Sequence, residues 1–172
     1  MSINVDKSKS MVVGPRPVQT KCVVEGKEFE QVPDFSYLGT VISGNGKPDR
    51  ELDNRICKAG KVCRQLYKTV FSKEEVSQQA KLSVYNVVFR PILFYGSESW
   101  VRSKDLIRTL EVADMRALSG ISGENRWLQW QDRISNSDIR AELGTNAVGD
   151  KLDESILRWF GHLCNMEDGR QC

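Results

Sequence analysis

At 172 residues, with 40% hydrophobic and 28% charged side chains, the chain is long enough for one compact domain or two small modules and too apolar to be disordered. Its formal net charge of +2 excludes a uniformly basic nucleic-acid glue while leaving local patches open. No apolar run approaches the roughly 20 residues of a membrane helix, and the polar opening MSINVDKSKS lacks the apolar centre of a signal peptide. Cys22, Cys57, Cys63, Cys164 and Cys172 include no CxxC pair, so the reading is a reduced intracellular chain, cytoplasmic or nuclear and not secreted.

In chain order, residues 11–43 favour strands. SMVVG reads as one, stopped by GPRP; KCVV and KEFEQV flank Glu25-Gly26 as a hairpin; YLGTVI reads as a third run, aromatic and β-branched. These strands are too few to bury a core alone. SGNGKP follows as a flexible connector, without the spacing of a phosphate-binding loop. From Asp49 the period changes. Leu52, Ile56, Ala59, Cys63, Leu66 and Val70 form one apolar stripe at spacings of 4, 3, 4, 3 and 4, which predicts a helix N-capped by Asp49. Ser72-Lys73-Glu74-Glu75 matches a capping box for a second helix, with Val76, Ala80, Val84, Val87 and Val88 inward and Pro91 ending or kinking it. Ser103 caps a third, with Leu106, Leu110, Ala113, Ala117 and Leu118 inward, and Ser135 or Asn136 caps a short fourth. The last runs from Gly149 or Asp150 to about Met166, with Leu152, Ile156, Trp159 and Leu163 on one face and Trp159 expected buried. The fold class is α+β: a small antiparallel β hairpin and strands first, then a mostly helical remainder.

The first helix holds the strongest candidate chemistry. Lys47, Arg50, Arg55, Lys58, Lys61, Arg64 and Lys68 run on past Asp49, Glu51 and Asp53. Lys61, Arg64 and Lys68 share a ridge, with Lys58 also off the apolar stripe, and such a face suits a phosphate backbone or is simply solvated. His162 is the only histidine; no catalytic constellation surrounds it, and with Cys164 it lacks two further ligands for a metal. Trp100, Trp127, Trp130 and Trp159 are open to two readings, base stacking and core packing.

Six short motifs, in order, carry a resemblance. NVDKSK (4–9), FSYLGTVIS (35–43), DRELDNRICKAGKVCRQL, VFRPILFYGSESW (88–100), MRALSGISG with DRISNSDIRAELG, and LRWFGHLCNMEDGR resemble the C-terminal part of reverse transcriptases from non-LTR, LINE-type retrotransposons. The resemblance implies the end of a polymerase palm over 1–46, a helical thumb over 47–100 and a C-terminal helical region over 101–172. It makes Phe35, Tyr37, Leu38 and Gly39 primer-grip residues. It gives Lys58, Lys61, Arg64 and Lys68 to an RNA/DNA template-primer duplex, and it matches Lys7 to the lysine that assists pyrophosphate departure. The family's metal-binding aspartate pair precedes the YLG segment; Asp6 has no adjacent aspartate and does not replace it. The expectation is therefore a fragment of an RNA-directed DNA polymerase, inactive alone, without the upstream palm and fingers. No cofactor is expected in the chain itself, Mg²⁺ belongs to the parent enzyme, and no membrane partner is expected. The alternative is a helical protein-interaction module retained by a host, with no nucleic-acid role.

Overall fold

Two antiparallel hairpins come first and helices follow, so the chain is α+β as its patterning predicts. The computed structural model describes residue 4 and residues 7–14, 18–24, 26–122 and 135–166; Asp6, Glu25, Trp127, Trp130 and Cys172 lie outside the described residues. The chain groups into two compact units, Met1–Asn54 and Arg55–Cys172.

In the first unit, β1 (Cys22–Val24) pairs with β2 (Lys27–Phe29), as the Glu25-Gly26 signal predicts, and Phe29 is buried. The SMVVG run is not a strand. Ser10 alone bridges to Gln31, and Val12 and Val13 are exposed. YLGTVI also departs from expectation. It is not one strand but the end of β3 (Asp34–Tyr37), a turn at Leu38-Gly39, and β4 (Thr40–Ser43). The connector after it is tied down: Gly44 N–H donates to the Pro33 carbonyl at 2.7 Å, and Gly14 N–H donates to the Gly44 carbonyl at 2.8 Å. A Cβ on residue 44 would lie 2.9 Å from the Pro33 oxygen, so only glycine permits this approach.

Helix α1 (Asp49–Leu66) begins in the first unit and continues in the second. Asp49 is inside its first turn rather than capping it, and the Pro48 carbonyl accepts the Leu52 N–H at 2.8 Å. The predicted stripe holds, with Leu52 and Ala59 buried and Ile56, Cys63, Leu66 and Val70 half-buried; burial pushes the Cys63 thiol pKa up. A widened π-type turn, Tyr67–Phe71, ends the run, and Ser72 closes it by donating its N–H to the Tyr67 carbonyl at 3.0 Å.

Ser72 therefore does not open the second helix. Ser77 does, its hydroxyl accepting the Ala80 N–H at 3.3 Å at the start of α2 (Gln78–Val84). A second widened turn, Tyr85–Phe89, leads into α3 (Arg90–Leu93). Pro91 has no N–H and its ring crowds the carbonyl four residues back, and the widened turn lies where that must be accommodated. The extra residue in the turn rotates the face. Tyr85, Phe89 and Leu93 are buried, and Val87 and Val88, expected inward, are exposed along with Ala80. Tyr85 and Phe89 stack with centroids 5.5 Å apart.

Ser103 accepts the Leu106 N–H at 3.1 Å at the start of α4 (Lys104–Ser122), which buries Leu106, Leu110, Ala117 and Leu118 as predicted, together with Met115 and Ile121. Ser135 caps α5 (Asn136–Leu143) in a reciprocal box with Asp138. The final helix, α6 (Val148–Cys164), buries Val148 and Leu152. Trp159, expected buried, is 40% exposed, and Leu163 is exposed too. The ties to α6 fall on its first half: Ser97 Oγ to Ser155 Oγ at 3.2 Å, and an Arg102–Asp153 ion pair. Periodicity continued further than the surface it packs on.

The centre of the helical unit is polar. Asp114, fully buried on α4, accepts the Tyr85 hydroxyl at 2.6 Å and meets Arg140 of α5 at 2.8 Å, the latter a charge contact rather than an aligned hydrogen bond. Arg140 and Arg90 both donate to the Asn146 carbonyl, at 3.0 and 3.2 Å. Burial, with the Asp114 carboxylate beside it, drives the Tyr85 phenol pKa far above its usual value. Asp114→Ala would leave Arg140 buried without its counter-charge, with an expected loss of about 3–5 kcal/mol in denaturant unfolding. Tyr85→Phe should cost about 1–3 kcal/mol. Coupling between the two changes in a double-mutant cycle is the check; strictly additive losses would mean that they do not share one network.

The α5 cap carries a pH signature. The Ser135 hydroxyl, and then its backbone N–H, hold the Asp138 carboxyl below the usual carboxylate range. A depressed folded pKa stabilises above the unfolded value, about 3.9, and that stability fades as pH falls through it toward the folded value. Ser135→Ala should lower stability at neutral pH by about 1 kcal/mol and flatten the acid limb of a stability-against-pH curve.

Candidate functional site

Two surfaces, one in each unit, carry the sequence-predicted residues. The first is the β3–β4 hairpin. Its register pairs Phe35 with Ile42 and Tyr37 with Thr40, so Phe35, Tyr37 and Ile42 share one face, and Tyr37 and Ile42 are exposed. The tip is a two-residue turn in which Leu38 (φ 49°) and Gly39 (φ 82°) both have positive φ, as a type I′ turn requires. Glycine accepts this conformation freely. Leucine does so at a cost of roughly 1–2 kcal/mol, and here it is 74% exposed, so no burial repays it. The base of the hairpin is fixed to the start of α1: Asp34 accepts the Ser43 hydroxyl at 2.6 Å and pairs with Arg50, and Glu51 accepts the Val41 N–H at 2.7 Å. Phe35, Tyr37, Leu38 and Gly39 thus all lie on one anchored hairpin. What sequence reading missed is the turn itself, whose signal was a glycine inside an otherwise β-prone run.

The second surface is the outer side of α1. Lys58, Lys61, Arg64 and Lys68 are all exposed, and among the described residues none of them forms an ion pair. Arg55, counted with them in the sequence, is buried instead, its guanidinium 4.3 Å from the centroid of the Tyr95 ring. No acidic residue occurs between Asp53 and Glu74, so the helix is uniformly basic over its second half. At its end Tyr67 rests against α4 at Gly120, and Arg116 lies one turn before Gly120 and is exposed; neither Tyr67 nor Arg116 stood out in the sequence.

The remaining candidates come to less. Lys7 is exposed, with its backbone N–H on Asn4 Oδ1 at 3.3 Å. His162 is exposed beside Trp159, ring centroids 5.5 Å apart. Trp100 is buried. Among the described residues no three His, Cys, Asp or Glu side chains cluster as a metal site needs. No described helix is long and apolar enough to cross a membrane.

Among curated proteins, the chain is similar to an uncharacterized transposon-derived protein of Caenorhabditis elegans, 21% identical over 173 residues. The match takes in 99% of this chain and 61% of that relative's length. No protein-family model matches the chain, and no solved structure matches it. Similarity along nearly the whole chain to a transposon-derived protein points to a transposable-element origin.

The strained tip makes a direct prediction. Asn favours the left-handed region and the first position of a type I′ turn, so Leu38→Asn should stabilise the chain by several tenths to about 1 kcal/mol in urea unfolding. A loss of stability would show that the Leu38 side chain packs on the protein after all.

Proposed function

We propose that this chain is the nucleic-acid-handling part of a LINE-type retrotransposon reverse transcriptase, supplying primer-grip and thumb contacts to an RNA/DNA template-primer duplex and carrying no polymerase activity by itself. The observation that carries the reading is the β3–β4 hairpin. The YLG segment forms an exposed two-residue tip, with aromatic and aliphatic side chains on one face and a leucine held in a conformation it rarely adopts. Backbone strain of this kind clusters at ligand-contacting and switch sites. The basic half of α1 and the widened turn after it support the same reading, since the exposed Lys58, Lys61, Arg64 and Lys68 suit a run of phosphates. The relative's transposon derivation agrees with this origin. In this reading the hairpin offers backbone and apolar groups to the sugar-phosphate end of a primer, and the cations hold a duplex without reading its sequence.

A second reading has its own support. Leu157, Phe160 and Leu163 are exposed on the second half of α6, as a protein-interaction module would present them. Charge reversal separates the two. Replacing Lys61, Arg64 and Lys68 together by Glu should weaken binding to an RNA/DNA duplex at least tenfold and flatten its salt dependence, with the circular dichroism spectrum unchanged. A triple variant that binds as well as the parent would leave the cations as a solvated face and favour the interaction module.

A further inference from the structure

Tyr67 follows the basic half of α1 as the first residue of the widened turn Tyr67–Phe71, and it lies against a glycine of α4. The ring lies along α4 where residue 120 is glycine; a Cβ there would sit 3.3 Å from its Cδ2 and 3.5 Å from its Cε2. Glycine inside a helix is destabilising relative to alanine, and at this position it makes the room that the ring occupies. One side of the ring is thereby held against the protein while the side chain as a whole stays open, Tyr67 being 53% exposed. Arg64, whose Nε donates to the Gly60 carbonyl at 3.3 Å, precedes Tyr67 by three residues, Lys68 follows it in sequence, and Arg116 is one helical turn from Gly120. All three cations are exposed. A half-exposed aromatic ring with one edge on the protein, and exposed cations on the same two helical segments, would meet two needs of a single-stranded nucleotide. The base finds a flat surface to stack on, and its flanking phosphates find counter-charge.

We propose that Tyr67, braced on Gly120, is a stacking platform for an unpaired base, with Arg64, Lys68 and Arg116 on the adjoining phosphates. This rests on the nucleic-acid reading of α1 and adds a ligand class to it: a single-stranded nucleotide next to the duplex. A ring that served packing alone would be replaceable by any apolar side chain of similar bulk.

The test is fluorescence anisotropy with the full 172-residue chain, an RNA/DNA duplex with blunt ends, and the same duplex carrying a short single-stranded extension. The parent should bind the extended duplex more tightly. Tyr67→Ala and Tyr67→Leu should each lose about tenfold on the extended duplex and nothing on the blunt one, whereas Tyr67→Phe keeps the preference. The salt slope should be unchanged in the Tyr67 variants, which remove no charge, and shallower in Arg116→Ala. Circular dichroism and the retained blunt-duplex affinity show that each variant is folded. Equal binding of blunt and extended duplex by the parent, or a Tyr67→Leu variant that keeps the preference, overturns the platform while leaving the proposed function standing. A parent chain that binds neither duplex overturns both.

Discussion

A carboxylate removed from water has to be met by protons and positive charge from the protein, and Asp114 sets that requirement at the centre of the helical unit. Its two oxygens are met from different elements, Tyr85 from the widened turn after α2 and Arg140 from α5. Arg140 shares the Asn146 carbonyl with Arg90 of α3, so one acid organises the turn before α3, the middle of α4, α5 and the segment leading to α6. An apolar contact tolerates sliding and rotation. A buried ion pair does not, because a small displacement leaves charge unmatched in a medium of low dielectric. The Asp114 network thus ties α4, α5, the widened turn before α3 and the segment leading to α6 to one another.

The hairpin of the first unit shows the reverse economy. Most of its design is conservative: Asp34, Ser43, Arg50 and Glu51 fasten the strands to the start of α1 through side-chain hydrogen bonds and an ion pair. Against that rigid base the tip is locally unfavourable, since Leu38 has a positive φ and an exposed side chain. Asparagine or glycine would relieve it. The unfavourable residue thus sits at the end of a well-anchored support.

Net charge conceals how the cations are distributed. A value of +2 describes a nearly balanced chain, yet the acids of α1 are confined to its first turns and the bases continue alone. Glu51 and Arg55 are taken into the interior, leaving Lys58, Lys61, Arg64 and Lys68 outside. The field that an approaching polyanion meets depends on this segregation and not on the total.

Local chemistry determined much of the chain from sequence alone. The hairpin around Gly26, the stripe of α1, the Ser103 and Ser135 caps and the inward face of α4 each depend on neighbours within a turn or two, and they are legible for that reason. So was the exposure of Lys58, Lys61, Arg64 and Lys68 off the apolar stripe. Other features were decided by contacts distant in sequence. The widened turn Tyr85–Phe89 shifted the helical phase, burying Tyr85 and Phe89 and turning Val87 and Val88 outward, which no fixed 3.6-residue period anticipates. Asp114 follows Leu110 and precedes Leu118 by four residues, a polar residue in an inward register, but its burial makes sense only with Arg140 and Tyr85 brought to it. Trp159 sits in a correct apolar register and is still exposed, because a helical period says which residues face together and not where the neighbouring surface ends. Tyr67 meets Gly120 across more than fifty residues of chain. Propensity and periodicity act over a few residues, whereas packing of unlike elements is settled only when the whole chain has closed around them.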